Sequence, residues 1–258
     1  MTPAAVYRAL FTSLLGLCLV AVLANVTRAQ QPLDSSRVPS IHIIAASEEY
    51  DAPGSLRAFF DDLGRDYRLT ITGSWSKDYA KQLDGLEHLP EADLLVLFAR
   101  RLALDPESLA KIQAHWQSGK PVIGIRTASH AFSDEVNRVL DRQVFGNNYQ
   151  GHHPEGACRV TTLPGAADHP VLAGVGPIAS RKLYKTGPLP EGALALQQGE
   201  QDGSTEVVTI VNQHRGARVF YTSLGTKEDF DNPDFVRLLR NAVFWTLEQD
   251  AAQLERSP

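Results

Sequence analysis

Cysteine is nearly absent from this chain: of 258 residues, two are cysteine, Cys18 and Cys158, beside a single methionine. Cys18 lies in an apolar leader, so the body of the chain holds one thiol, which excludes an internal disulfide and a cysteine-ligated zinc site. An excess of positive charge is missing too, with 25 Lys and Arg against 30 Asp and Glu. That balance argues against nucleic acid or an anionic membrane as partner. Beyond residue 24 no apolar run approaches the ~20 residues of a spanning helix. The chain has no phosphate loop, no Gly-x-Ser-x-Gly elbow, no His-Glu-x-x-His helix and no dinucleotide fingerprint, which disfavours P-loop hydrolysis and cofactor-dependent redox chemistry. The residues identify no cofactor.

The first 29 residues read as a secretory signal. Arg8 precedes apolar residues 9–24, and Thr27-Arg28-Ala29 supplies small residues for cleavage after Ala29. Leu17 precedes Cys18 where a lipoprotein signal requires a small residue, so release to the periplasm or the exterior is expected, with no membrane association after cleavage. Cleavage removes Arg8 and Arg28 and no acid, leaving 23 basic against 30 acidic side chains. Residues 30–40, polar with Pro32 and Pro39, form a tether, and residues 41–250 form one domain large enough for a single core.

Apolar runs of strand length at 41–46, 93–99 and 122–125, and an alternating run at 67–72, are separated by helical patterns. Leu56, Phe59, Phe60 and Leu63 mark one helix face, with Gly64 as its stop. Asp105-Pro-Glu107 opens a second helix, whose buried stripe is Leu109, Ile112 and Trp116. This alternation predicts a doubly wound, mainly parallel sheet. Short strands expected at 158–163, 181–185, 193–197, 206–212 and 218–223 add antiparallel members, the last returning to the centre. A final helix begins at Asn232-Pro233.

In such a sheet, ligands sit beyond the carboxyl ends of the strands. That edge collects Ser47, Glu48, Glu49, Arg100, Arg101, Arg126, Thr127, Ser129 and His130. The loop Phe145-Gly-Asn-Asn-Tyr-Gln-Gly-His-His-Pro154 is too long and too aromatic for a simple turn, and reads as functional.

Gly119-Lys-Pro-Val-Ile-Gly-Ile-Arg-Thr-Ala-Ser-His130, that loop, Asp168-His-Pro-Val171 and Gly216-Ala-Arg-Val-Phe-Tyr-Thr-Ser-Leu-Gly225 together resemble the trehalose-utilisation (ThuA-like) family. The resemblance implies a flavodoxin-like fold of the class I glutamine amidotransferase type. In those amidotransferases a Gly-x-Cys-x-Gly elbow follows this strand. Arg126 stands at the cysteine's place and Ala128 at the second glycine's. A guanidinium can neither attack a carbonyl nor accept a proton, so glutamine hydrolysis by a Cys-His route is not expected. Many ThuA-like members carry a histidine at the elbow and another after the Tyr-Thr-Ser-Leu-Gly run; this chain has Arg126 and Thr226 there. The resemblance implies a role linked to carbohydrate.

Arg126, His130 and His152 are the candidate catalytic residues, a histidine serving as acid or base while Arg126 polarises an oxygen. Glu48, Arg100, Thr127, Ser129, Asn148, Tyr149 and Thr226 are candidates for binding a small carbohydrate. No metal ligand set is expected. Asn147 also has the chemistry of a sugar contact, and Glu228 or Asp229 that of a catalytic carboxylate; the plainer readings are Arg126 in an ion pair with Glu48 or Glu49, the imidazoles fixing a loop, Asn147 and Asn148 forming turns, and Glu228 or Asp229 complementing a helix dipole. Two other functions stay open, a non-catalytic binding module and a metal-dependent hydrolase, and so does homo-oligomerisation.

Overall fold

Residues 37–77 and 82–256 are described by a computed structural model. The expected signal peptide and residues 30–36 of the expected tether lie outside the described residues.

Strand β1 (Ser40–Ala46) is buried on both faces and, beyond Ser40, apolar but for His42, whose ring bonds Thr72 and Ser74. The chain continues through α1 (Ala52–Asp66), β2 (Thr70–Ser76), β3 (Leu94–Ala99), α2 (Pro106–Gln117) and β4 (Val122–Ile125). β1 pairs in parallel with β2 and β3, and β3 pairs with β4. Two expectations shift here. α1 runs past Gly64, because Leu63 is buried and its carbonyl accepts the Tyr67 amide at 2.9 Å. The second strand starts at Thr70 rather than 67, because Tyr67 packs on Phe244, 4.7 Å between ring centroids, and bridges to Glu255.

The second half forms α3 (Asp134–Val139), β5 (Tyr149–His152), β6 (Ala157–Thr162), β7 (Ile178–Arg181), β8 (Tyr184–Thr186), β9 (Leu194–Gln201), β10 (Ser204–His214), β11 (Ala217–Thr222), α4 (Pro233–Leu247) and α5 (Ala251–Leu254). The large sheet has the order β2-β1-β3-β4-β11-β10-β9-β6-β7. β11 lies parallel to β4 at its centre, and the strands beyond it are antiparallel. The single strand expected at 181–185 is two strands. Lys182, with φ 58°, turns the chain out of the sheet, and β8 pairs instead with β5.

Successive strand residues point to opposite faces. Ile43, Val96 and Ile123 meet Leu56 and Phe60 of α1 and Phe235 and Leu238 of α4. Leu97, Val122 and Tyr221 meet Ile112 and Trp116 of α2 together with Leu140 and Phe145. Gly124, in the middle of β4, is where the Phe145 ring seats: a Cβ there would lie 2.5 Å from it.

Candidate functional site

Because β1, β3, β4 and β11 are parallel, their carboxyl ends open on one edge. The chain leaves that edge in strained conformations. Among the described residues eight non-glycine residues have positive φ, and five gather here: Tyr50 (62°), Asp51 (49°), Arg101 (48°), Arg126 (49°) and Lys182 (58°). Each costs about 1 kcal/mol relative to ordinary backbone, a cost that concentrates at functional sites.

Arg126 begins the 3-10 turn Arg126–His130 after β4 and is fully buried. Its fork was expected to face a ligand or a carboxylate of β1, and it does neither. Nη1 donates to the Ser223 carbonyl at 2.7 Å and Nη2 to the Lys182 carbonyl at 3.2 Å. The guanidinium lies 4.1 Å from the Tyr50 ring centroid and 4.7 Å from that of Tyr184. Glu49 is held by Arg100 at 3.1 Å, and Glu48 is exposed at the rim. Arg126 is the floor of the edge, and its turn is locked by Tyr221, whose hydroxyl donates to the Arg126 carbonyl at 2.9 Å. Thr127 and Ser129 are buried within the same turn.

The rim is aromatic. His130 stacks on Tyr149 at 4.5 Å with 18° between planes, and Tyr184 lies 5.0 Å from Tyr149. Nδ1 of His130 is 3.0 Å from Ser129 Oγ. Burial, with the fields of Arg100, Arg101 and Arg126, pushes the His130 pKa down to about 3. This imidazole is therefore neutral at physiological pH and a weak base. His152 is exposed, and its Nδ1 lies 2.8 Å from the His153 carbonyl. A carbonyl only accepts, so Nδ1 carries the proton and Nε2 is left as the basic nitrogen. His153 turns away to Glu206 Oε1 at 2.7 Å, so the adjacent imidazoles do different things.

The asparagines are committed to other groups of the chain. Asn148 donates to the Pro188 carbonyl at 2.9 Å and accepts from Gln150 at 2.7 Å, and Asn147 donates to Asp141 at 2.7 Å. This corrects the expectation that Asn148 is available to a ligand. Asp141 also accepts the Tyr149 amide at 2.8 Å, which presents that ring.

Thr226 is buried and follows Gly225, which has φ 120° and approaches Ile125 so closely that a Cβ would lie 2.7 Å away. Oδ2 of Asp229 accepts from the amides of Gly225 (2.7 Å) and Thr226 (2.8 Å) and from Ser180 Oγ (3.0 Å). Asp229 thus fastens the turn after β11, rather than only complementing a helix dipole. Cys158 is buried with its thiol pushed up to about 11 by desolvation, so it is inert at neutral pH. Among the described residues, no three His, Cys, Asp or Glu side chains gather as a group able to hold a metal, and no helix is long and apolar enough to cross a membrane. Tyr50, Lys182 and Tyr184 complete the edge and carry no signal in sequence, since no glycine marks the left-handed turns and Tyr184 arrives from a separate ribbon.

Residues 47–246 match the family described as trehalose utilisation, ThuA. The chain belongs to the ThuA family. The matched span contains every edge residue named above. In fold, this ThuA chain is similar to a ThuA-like protein from Bacteroides uniformis, at 15% identity and TM-score 0.63, covering 86% of this chain and 97% of that one. It is similar to another from Parabacteroides merdae, at 16% identity and TM-score 0.59, covering 85% and 91%. A protein from Thermoplasma acidophilum described as a GMP synthase subunit, at 14% identity and TM-score 0.53, covers 83% of this chain with 99% of its own. These likenesses establish a mixed α/β fold of the ThuA and glutamine amidotransferase type. No curated protein matches significantly.

Two buried imidazoles, His42 and His115, and the partly buried His130 give the ThuA domain a defined acid response. Burial lowers His42 and His115 to about 4 and His130 to about 3, from an ordinary value of 6.5. Depressed values contribute stability that is fully present above pH 6.5 and is lost as pH falls towards 4. Asp141, raised to about 6 by burial, acts in the opposite sense: its contribution is present below pH 3.8 and lost as pH rises through 6. Near pH 5 these four groups together hold about two more protons in the unfolded chain than in the folded one, a slope from them of roughly 2–3 kcal/mol per pH unit. Urea midpoints at pH 7, 6 and 5 should fall steeply. A flat series would mean that these imidazoles become charged in place.

Proposed function

We propose that this protein is exported and binds or acts on a carbohydrate or glycoside in sugar utilisation, at the carboxyl edge of β1, β3, β4 and β11, without glutamine amidotransferase activity. The observation that carries this reading is the partly exposed Tyr149–His130 stack beside Tyr184, whose ring packs on a buried guanidinium at the elbow where an amidotransferase needs a thiolate. An aromatic face suits the apolar face of a sugar ring, and the neutral His130 imidazole can donate or accept a hydrogen bond to a hydroxyl. The family's description as trehalose utilisation supports the same substrate class. Export rests on the leader ending at Ala29. If there is turnover, His152 is the imidazole to test as the base.

A thermal-shift screen of the chain from Gln30 against mono-, di- and keto-saccharides tests the reading. A saccharide at about 100 times its Kd should stabilise the fold by about 2.7 kcal/mol, and Tyr149→Ala should abolish that shift. Where a saccharide is turned over, His152→Ala should lower kcat by ~10²-fold or more with binding retained. Indifference to every saccharide, or ammonia release from glutamine, would overturn the proposal.

A further inference from the structure

The chain as a whole is acidic, at −5, yet cations converge on this edge. Arg101 leaves β3 in a left-handed conformation, and its amide donates to the His130 carbonyl at 2.9 Å, which fixes the residue beside the imidazole. Lys182, also left-handed, has its carbonyl held by Arg126 and its Nζ 5.6 Å from the Tyr50 ring. The acids nearby are largely engaged: Glu49 with Arg100, Asp51 with Lys227 at 3.8 Å, and Asp229 with three donors. Glu48 remains as the exposed carboxylate at the rim. The same three arginines, Arg100, Arg101 and Arg126, act on both His130 and Tyr149.

Arg126 sharpens the point. It is fully buried, Nε has no hydrogen-bond partner, and its contacts are carbonyls and rings rather than a carboxylate. The Asp229 carboxylate acts on the guanidinium without a hydrogen bond to it, and an anion settling above Arg126 adds to that attraction through the weakly screened interior.

We infer that the ligand of this edge is an anionic sugar, its carboxylate or phosphate taken by Arg101 and Lys182 and its ring lying against Tyr149. The inference rests on the carbohydrate reading above and narrows it to sugar acids and sugar phosphates. Arg126 supplies field rather than contact, because both of its terminal nitrogens are occupied. Arg101 is exposed and set beside the imidazole, and so discriminates charged from neutral ligands.

Calorimetric titration of the chain from Gln30 with D-glucose, D-glucuronate, D-glucose 6-phosphate and inorganic phosphate, at about 20 and about 200 mM salt, tests this. Glucuronate or glucose 6-phosphate should bind at least about tenfold more tightly than glucose, with the gap narrowing at the higher salt. Arg101→Gln should weaken the charged ligand by about tenfold, with the melting temperature unchanged. Glucose binding as tightly as either charged sugar overturns the inference and leaves the carbohydrate reading standing. Inorganic phosphate binding as tightly as glucose 6-phosphate, with glucose and glucuronate silent, overturns the carbohydrate reading and this inference with it. Silence from both charged sugars overturns the inference.

Discussion

Arg126→Ala will destabilise the protein by about 3 kcal/mol. The change removes two hydrogen bonds from a charged donor, each worth about 1.5–3 kcal/mol, and the contacts with Tyr50 and Tyr184. It also leaves a cavity in a fully buried place, which costs more as the site fails to collapse. Against these losses stands relief from holding a cation out of water, several kcal/mol, which keeps the net effect from reaching the sum. Arg126→Gly suffers the same losses but relaxes the left-handed backbone at φ 49°, so it should be about 1 kcal/mol more stable than the alanine variant. Urea unfolding of the three proteins checks both statements. An alanine variant as stable as the parent would mean that desolvation outweighs every contact, and equal stability of alanine and glycine would remove backbone strain from the account.

The larger loss is expected at Asp229, where alanine should cost about 4 kcal/mol. One carboxylate oxygen serves the amides of Gly225 and Thr226 and the Ser180 hydroxyl, all buried. A buried donor left without an acceptor costs about 1–3 kcal/mol, and the two amides cannot turn elsewhere because Gly225 is pinned against Ile125. Asp229→Asn can place its one acceptor oxygen where Oδ2 receives all three donors, with neutral bonds in place of charge-assisted ones, so about half the cost should return. Hydrogen exchange should show the opening confined to the turn after β11 and the Ser180 strand. Global loosening with an unchanged turn would contradict this assignment.

Much of the architecture is legible in order along the chain. The runs at 41–46 and 94–99 are buried along their length and apolar but for His42, which only a doubly covered strand tolerates, and helices α1 and α2 carry one buried face each. Asp105-Pro-Glu107 caps its helix as its residues require, the Asp105 carboxylate accepting the Glu107 and Ser108 amides. The elements that moved are those whose partner is remote. Tyr67 alternates like a strand residue because it packs on Phe244, nearly 180 positions later. The run at 181–185 splits because Lys182 takes a left-handed turn that no glycine announces.

The site divides along the same line. Parallel pairing of strands that sequence identifies brings Arg100, Arg126 and His130 to one edge, so their neighbourhood follows from hydrophobic pattern and handedness alone. What each does there depends on groups no local signal names. Arg126 reads as a ligand fork until Ser223, Lys182, Tyr50 and Tyr184 surround it, and Asn148 reads as a sugar contact until Pro188 and Gln150 take its amide. By itself the sequence determined the sheet, its helices and the edge where polar groups emerge, because periodicity and propensity act within a few residues. Only the tertiary structure decided which of those groups are buried, paired or left to face solvent, because a side chain's remaining hydrogen bonds depend on partners 50 to 100 positions away.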